Sequence, residues 1–180
     1  NAADGQDEDN EANDANDITP IEGQVMESAD GSVQLTLPED WNEDSDLNKA
    51  ALIGASKYDA EKYTLVIPTQ KSTLSDDATL EDFYQTMAAS MQQTIVNYEE
   101  TEPKELTING MPALQYEVNG EVDSVKITYL ITLVESENRY YQLASWTLPS
   151  KYAEYKNEYR AIAQSFTVSA DAEKAAGEQV

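Results

Sequence analysis

The chain has 180 residues, a length that suits one folded domain with tails. It contains no cysteine and no histidine, which excludes disulfide bonds, thiolate or histidine zinc sites and nucleophiles activated by imidazole. Its 35 acidic and 11 basic residues give a formal charge of −24, which disfavours binding to nucleic acids and to anionic lipid headgroups. We therefore expect no cofactor, and any catalysis would depend on carboxylates, Lys or Tyr.

Both ends of the chain have the composition of unfolded segments. Residues 1–31 open with seven carboxylates and no cation before Ile18, and such a segment cannot offset the entropy lost on ordering. This predicts a disordered acidic linker over residues 1–31, and the polar, Ala-rich residues 170–180 predict a disordered tail. The domain between them, residues 32–169, has 22 acids and 10 bases, a net charge of 10 − 22 = −12.

The first half of the domain predicts strands followed by a helix. Alternating apolar and polar residues over 32–37 predict a half-buried strand that ends at Pro38. Residues 50–57 and 63–69 predict a hairpin. The spacing of apolar residues then changes to three and four, which predicts an amphipathic helix over 80–96. Thr79 and Asp82 resemble a capping box at its start.

The second half predicts a meander and a closing helix. Two Asn-Gly pairs, Asn109-Gly110 and Asn119-Gly120, each lie between apolar-rich runs and each predicts a hairpin turn. Strands follow over 125–133 and 140–148, and Pro149 begins a second amphipathic helix. Two helices and seven or eight strands in this order predict an α+β fold in which helices cover an antiparallel sheet.

Three short motifs resemble the PsbP-like family. They are Leu37-Pro38-Glu39-Asp40-Trp41 at the end of the first strand, Thr107-Ile108-Asn109-Gly110-Met111-Pro112-Ala113-Leu114 at the entry to the meander, and Ile162-Ala163-Gln164-Ser165-Phe166 in the last helix. The family includes an extrinsic photosystem II subunit, a Ran-binding nuclear-import factor and many bacterial lipoproteins. The resemblance implies an α/β/α sandwich, a PsbP-like domain over residues 32–169 with an antiparallel sheet covered by two main helices.

The lipoprotein branch of that family offers the best match for the acidic leader. The resemblance implies a non-catalytic binding or accessory module outside the cell, tethered to the bacterial membrane through a lipidated Cys upstream of Asn1. Its partner would be an extracellular protein or a cell-envelope component, with no nucleic-acid role. No residue corresponds to a manganese, calcium or Ran site of the family, so no functional residue is carried over from it.

The stretch EDWNEDSD, residues 39–46, is a candidate metal site. Asp40, Asn42 and Asp44 take the first, third and fifth positions of a calcium loop. The sixth position is Ser45 where Gly is needed, and the twelfth is Ala51 where a bidentate Glu is needed. A weak calcium-binding module therefore stays open, and a solvated turn is the favoured interpretation.

The aromatic residues form a second candidate site. The chain has 11 Tyr and 2 Trp, and both residue types combine apolar area with a polar tip. A groove lined by Trp41, Trp146, Tyr140 and Tyr141 could hold a peptide or a sugar. The alternative is that these rings pack at the edge of the core.

A carboxylate-dependent hydrolase acting on an envelope glycan or peptide is the competing function. Two acids about 5–9 Å apart can hydrolyse glycosides, but the chain has many acids and no pair is singled out, so no catalytic residue is predicted. Glu117 and Asp123 are the best single candidates for an acid in apolar surroundings. Both lie beside predicted hairpin turns, where water reaches them, and a catalytic acid needs apolar surroundings. The binding module is therefore the favoured prediction.

Overall fold

The structure is a computed structural model that describes residues 18–178, with side chains up to residue 176. The described chain forms eleven strands and three α-helices. The strands are β1 (Gln24–Glu27), β2 (Val33–Leu37), β3 (Asn42–Glu43), β4 (Ile53–Lys57), β5 (Lys62–Gln70), β6 (Val96–Glu100), β7 (Lys104–Ile108), β8 (Met111–Val122), β9 (Val125–Glu135), β10 (Arg139–Thr147) and β11 (Thr167–Val168). The helices are α1 (Leu80–Thr94), α2 (Pro149–Gln164) and α3 (Ala170–Glu178).

The strands form two antiparallel sheets. The large sheet has eight strands in the order β3-β4-β5-β10-β9-β8-β6, with β7 also paired to β8. The small sheet has the order β1-β2-β11. The predicted meander is the β8-β9-β10 part of the large sheet, and the predicted hairpin is the β4-β5 pair.

Helices cover both faces of the large sheet, which gives three layers. On one face, called here the α1 face, Phe83 of α1 packs with Tyr116 and Tyr140. On the opposite face, the α2 face, Tyr159 and Ile162 of α2 pack in a core that includes residues of β2. The predicted α+β fold, an antiparallel sheet covered by two main helices, is confirmed. No helix within residues 18–178 is long and apolar enough to cross a membrane.

The predicted capping box starts α1. Thr79 Oγ1 accepts a hydrogen bond from the Asp82 amide at 3.2 Å, and Asp82 Oδ2 accepts one from the Thr79 amide at 3.0 Å. The helix ends at Thr94, because Ile95 adopts an extended conformation. Asp therefore performs the role that Glu or Gln usually has in this motif.

Only one of the two Asn-Gly pairs makes a turn. Asn109 and Gly110, with φ of 48° and 83°, connect β7 to β8. The Asn119-Gly120 hairpin prediction is wrong, since both residues lie inside β8. The β8-β9 turn falls instead at 123–124, where both residues have positive φ. Gly120 serves close packing, because a Cβ there would lie 2.1 Å from Ile95 Cγ2.

The ordered domain extends beyond its predicted bounds of 32–169. β1 lies within the predicted acidic linker and pairs with β2, whereas residues 1–17 fall outside the described chain. Residues predicted as a disordered tail form α3. The Glu173 carboxylate of α3 is fully buried and accepts hydrogen bonds from Ser136 Oγ at 2.6 Å and from the Asn138 amide at 2.9 Å. A buried carboxylate anchors α3, and sequence patterns assume that such a residue faces solvent.

Candidate functional site

Four aromatic side chains form a continuous row across the α1 face of the large sheet. Trp146 of β10 lies directly opposite Tyr129 of β9 and, on its other side, opposite Tyr63 of β5. Tyr58, in the turn between β4 and β5, extends the row beyond Tyr63. We call Tyr58, Tyr63, Trp146 and Tyr129 the aromatic row.

Each ring of the aromatic row contacts the next. The centroids of Trp146 and Tyr63 are 5.4 Å apart with an interplanar angle of 17°, which is a stacked arrangement. Tyr129 is tilted against Trp146 at 5.6 Å, and Tyr58 meets Tyr63 edge-on at 5.7 Å. Such pairs contribute about 0.5–1.5 kcal/mol each beyond the apolar area they bury. These contacts hold the four rings together as one platform in the unbound protein.

The aromatic row remains open to solvent at its centre. Tyr63, Trp146 and Tyr129 are half-buried and Tyr58 is 63% exposed. Burial raises the pKa of Tyr63 and of Tyr129, so both hydroxyls stay protonated at neutral pH. The platform thus combines apolar ring faces with polar tips that can donate hydrogen bonds.

Asp44 holds one end of the aromatic row in place. Its Oδ2 accepts hydrogen bonds from the Tyr58 hydroxyl and, at 2.9 Å, from Ser56 Oγ. The hydrogen bond from Tyr58 is the largest cause of the lowered pKa of Asp44, and the same bond raises the pKa of Tyr58. The carboxylate is therefore a structural anchor for a ring that is otherwise exposed.

The structure does not bring the four predicted aromatic residues into one groove. Trp41 and Tyr141 belong to the core of the α2 face, whereas Tyr140 and Trp146 lie on the α1 face. Trp41, Tyr140 and Tyr141 are only 2%, 1% and 0% exposed. Of the four, Trp146 alone is placed where a ligand could reach its ring.

The three predicted calcium ligands do not converge on a common point. Two of them are engaged in other contacts. The Asp40 carboxylate forms an ion pair with Lys57 Nζ at 3.3 Å, and Asp44 accepts the hydroxyl hydrogen bonds described above. Asn42 is exposed and pairs with Ser56 in the β3-β4 ladder. Among the described residues, no group of three or more Asp and Glu side chains could hold a metal ion. Trp41 folds back into the core, as the turn interpretation predicts.

The two acids considered for a hydrolase are far apart. Glu117 lies within β8, and Asp123 lies in the turn that follows this strand. The two residues are six positions apart in sequence, which separates their backbones by about 20 Å along an extended strand. Glu117 lines a cleft of about 270 Å³ beside α2, where its carboxylate contacts Lys156 Nζ at 3.2 Å. Glu102, the other acid of that cleft, is exposed. The cleft therefore offers no desolvated pair of acids for glycoside hydrolysis.

Sequence patterns missed three members of the aromatic row because they do not specify strand register. Tyr63 and Tyr129 each lie next to buried residues of the opposite sheet face, and nothing in the sequence distinguishes them from other tyrosines in strands. Their adjacency to Trp146 depends on the pairing of β5 and β9 with β10. Alternation along each strand could have predicted that Tyr63, Tyr129 and Trp146 lie on the same face of the sheet. It could not have predicted that they lie next to one another, because that depends on how the strands pair.

Comparison with solved structures shows that the domain has the PsbP-like fold. The chain is similar to the cyanobacterial PsbP of Synechocystis, with a TM-score of 0.62 and 14% identity over 81% of this chain and 92% of that one. It is similar to LpqN of Mycobacterium tuberculosis, with a TM-score of 0.60 and 14% identity over 81% and 90% of the two chains. A protein of Bacteroides thetaiotaomicron gives a TM-score of 0.58 at 10% identity, over 83% of this chain and 49% of the other.

These structural similarities establish the fold, and at such low identities the function must be argued from the site itself. No protein-family model matches the sequence, and no curated protein matches it. LpqN is described as involved in cell envelope biogenesis.

Proposed function

We propose that the chain is a non-catalytic binding or accessory module of the cell envelope or the extracellular space, and that the aromatic row is the surface that contacts its partner. The observation that supports this is the half-buried Trp146 at the centre of a row of four rings. Its ring is stacked on Tyr63, and its indole N–H is a hydrogen-bond donor. Tyr and Trp are enriched in recognition surfaces because they bring large contact area at low entropic cost.

The chemistry of the aromatic row suits glycans and peptides. Both ligands present apolar C–H groups that can lie on ring faces, and both have polar groups that can pair with phenol and indole tips. The folded domain is acidic, which disfavours polyanionic partners such as nucleic acid. A glycan or a peptide exposed in the envelope is therefore the class of ligand that we propose.

The proposed location in the cell envelope is supported by structurally similar proteins and by the sequence. The description of LpqN as involved in cell envelope biogenesis supports an envelope role. The predicted lipid anchor is part of this proposal. Mass spectrometry of the protein isolated from its native membranes tests it, since a lipidated Cys would add the mass of acyl chains to the N-terminal peptide.

The two tryptophans allow a direct test of binding. In a Trp41→Phe variant all indole fluorescence comes from Trp146, because the chain has 2 Trp. We expect titration with soluble glycan fragments and peptides released from bacterial envelopes to shift and saturate this fluorescence. The Trp146→Ala variant should fold and bind at least about tenfold more weakly, as expected for a central aromatic contact.

Two further measurements separate binding from packing and from catalysis. A Val96→Ala variant, altered at an exposed residue of β6 at the far edge of the large sheet, should bind like the unmodified protein. Loss of folding in Trp146→Ala without loss of affinity in the folded fraction would assign Trp146 a packing role. Mass spectrometry that detects cleaved fragments after incubation would show turnover and replace the binding module with a hydrolase.

A further inference from the structure

A groove separates the free edges of the two sheets. It has a volume of about 380 Å³ and lies between β1, the edge of the small sheet, and β3 with the start of β4, at the edge of the large sheet. Its lining residues are Gln24, Val25, Met26, Glu27, Trp41, Asn42, Glu43, Leu52, Ile53 and Gly54. At one end the Gln24 side chain donates a hydrogen bond to the Trp41 carbonyl at 2.7 Å, which ties the two edges together. We call this cavity the edge groove.

The β1 side of the edge groove exposes unpaired backbone groups. The Ser28 amide donates to the Val33 carbonyl at 2.9 Å, and hydrogen-bonded pairs in an antiparallel ladder recur at every second residue. In the β1-β2 register, Met26 lies opposite Leu35 and Gln24 opposite Leu37. Met26 and Gln24 therefore direct their N–H and C=O groups towards β2. Val25 and Glu27 direct theirs away from β2, into the edge groove.

The β3 side of the edge groove also exposes unpaired backbone groups. The Asp44 amide donates to the Gly54 carbonyl at 2.8 Å, and the β3-β4 register pairs Asn42 with Ser56. The backbone groups of Glu43, which lies between Asn42 and Asp44, consequently point away from β4. Both walls of the edge groove thus present the donors and acceptors that an additional strand would pair with.

The side chains of the edge groove specify what kind of strand fits. Leu52 and Met26 are half-buried and provide apolar contacts above the buried Trp41 and Ile53. Glu27 and Glu43 are both exposed acids, and the lining includes no Lys or Arg. Val25 is 59% exposed on the outer side of β1. An added strand would alternate apolar residues facing the core with basic residues facing Glu27 and Glu43.

We propose that the edge groove binds an extended peptide segment of a partner protein, with alternating apolar and basic residues, by addition as a β-strand to β1. Val25 and Glu27 each offer one N–H and one C=O, so up to about four backbone hydrogen bonds would form. Main-chain pairing provides affinity, and the alternation of side chains provides selectivity. The site lies on different strands from the aromatic row and adds a second binding surface to the protein.

A proline substitution tests the backbone pairing. Val25→Pro removes an N–H that points into the edge groove and leaves the β1-β2 ladder intact, which edge strands tolerate. Val25→Ala keeps the N–H and is the matched control. The probe is an N-acetylated octapeptide of alternating Val and Lys, titrated by isothermal calorimetry. We expect at least a tenfold weaker Kd for Val25→Pro and a change below threefold for Val25→Ala, with circular dichroism confirming the fold of each variant.

Charge variants test the same proposal if the proline variant fails to fold. Glu27→Gln with Glu43→Gln should weaken binding of the Val-Lys peptide at least tenfold, and a Val-Glu octapeptide should not bind the unmodified protein. Trp146→Ala should leave the Kd for the Val-Lys peptide unchanged. Equal binding of both peptides, or no binding of either, would overturn the proposal. So would a concentration-dependent dimer that Val25→Pro abolishes, since that result assigns the edge to a second copy of the chain.

Discussion

A single carboxylate, Asp30, organises the polar residues at the β1-β2 turn. Its Oδ1 accepts hydrogen bonds from Ser28 Oγ at 2.7 Å and from Ser32 Oγ at 2.6 Å, and its Oδ2 lies 3.6 Å from Arg139 Nη2. Burial raises the pKa of Asp30, but the two serines and Arg139 outweigh it and lower that pKa to about 2. Asp30 thus connects the small sheet to β10 through charge.

Asp30→Asn should make stability less dependent on pH. Because folding lowers the pKa of Asp30 below its ordinary value of roughly 3.9, the charged form stabilises the protein above pH 4. This contribution is lost as the pH falls through about 2. We expect urea unfolding to show a loss of about 1 kcal/mol for Asp30→Asn at pH 7, smaller than the pKa shift alone implies because water screens a partly exposed carboxylate, and a difference from the unmodified protein that narrows below pH 4.

Asp59→Asn is the matched control for this measurement. The Asp59 side chain is 80% exposed and pairs with Lys57 on the surface. Exposed ion pairs contribute little because water screens them, so its free energy of unfolding should change by less than about 0.5 kcal/mol. A gap between Asp30→Asn and the unmodified protein that stays constant from pH 7 to pH 3 would contradict the assignment.

At the scale of elements, Gly120 lets β8 approach the junction between α1 and β6. A Cβ at this position would lie 2.1 Å from Ile95 Cγ2 and 3.1 Å from the Val96 carbonyl oxygen. Gly110 differs, because its φ of +83° is the constraint and no atom lies within 4 Å of a Cβ there. The two glycines of the two Asn-Gly pairs therefore serve packing and turn geometry respectively.

Gly120→Ala should destabilise the protein through Ile95. Overpacking of a tight contact costs about 1–3 kcal/mol, and removing the obstructing atoms should reduce that cost. In an Ile95→Ala background we expect the effect of Gly120→Ala on the free energy of unfolding to shrink by at least about 1 kcal/mol. Gly110→Ala should cost about 1 kcal/mol in both backgrounds. Equal coupling of both glycines to Ile95 would be evidence against this explanation.

The helix α3 is attached to the sheet by Glu173. The carboxylate accepts hydrogen bonds from Ser136 Oγ, the Asn138 amide and the Tyr141 hydroxyl. Burial and the hydrogen bond to Glu173 raise the pKa of Tyr141, which keeps its hydroxyl a donor at neutral pH. A single side chain thus satisfies three donors near the turn between β9 and β10.

Glu173→Ala should release α3 and weaken the domain. Three donors would lose a charged acceptor, and hydrogen bonds to charged groups contribute about 1.5–3 kcal/mol each before relaxation and hydration. We expect the free energy of unfolding to fall by about 3 kcal/mol, and the amides of α3 to exchange with deuterium much faster. Lys174→Ala, at an exposed neighbour, is the control and should leave both readouts unchanged.

At the scale of the whole molecule, charge repulsion opposes folding. The formal charge is −24 and the pI is about 4.1, and like charges repel more strongly in the compact state than in the unfolded chain. Salt screens this repulsion over a Debye length of about 8–10 Å at physiological ionic strength. The domain is therefore expected to gain stability from salt.

Raising NaCl from 10 mM to 300 mM at pH 7 should raise the melting temperature. A gain of roughly 1 kcal/mol corresponds to about 2–4 °C for a chain of this size. KCl at equal ionic strength should act alike, which distinguishes screening from a specific cation site. A melting temperature that falls with salt would mean that favourable ion pairs outweigh the net repulsion.

Sequence alone determined the main elements of the central domain and their type, although it missed β1 and α3. Apolar alternation over 125–133 and spacing of three and four over 80–96 are local patterns, and the strands and helices that they predict are present. The α+β class was also predictable, since the order of those elements favours an antiparallel sheet covered by helices. The PsbP-like fold was implied by the resemblance of three short motifs to that family. The lack of imidazole and thiol groups is equally a property of composition.

Tertiary structure alone decided which side chains meet and which are buried. Trp146 adjoins Tyr63 only through the pairing of strands more than 80 residues apart, as the Thr64-Ser145 contact with a separation of 81 illustrates. The burial of Glu173 and the location of the edge groove likewise depend on contacts between distant segments. Local patterns report the preferences of neighbouring residues, whereas register and burial follow from the free energy of packing the whole chain.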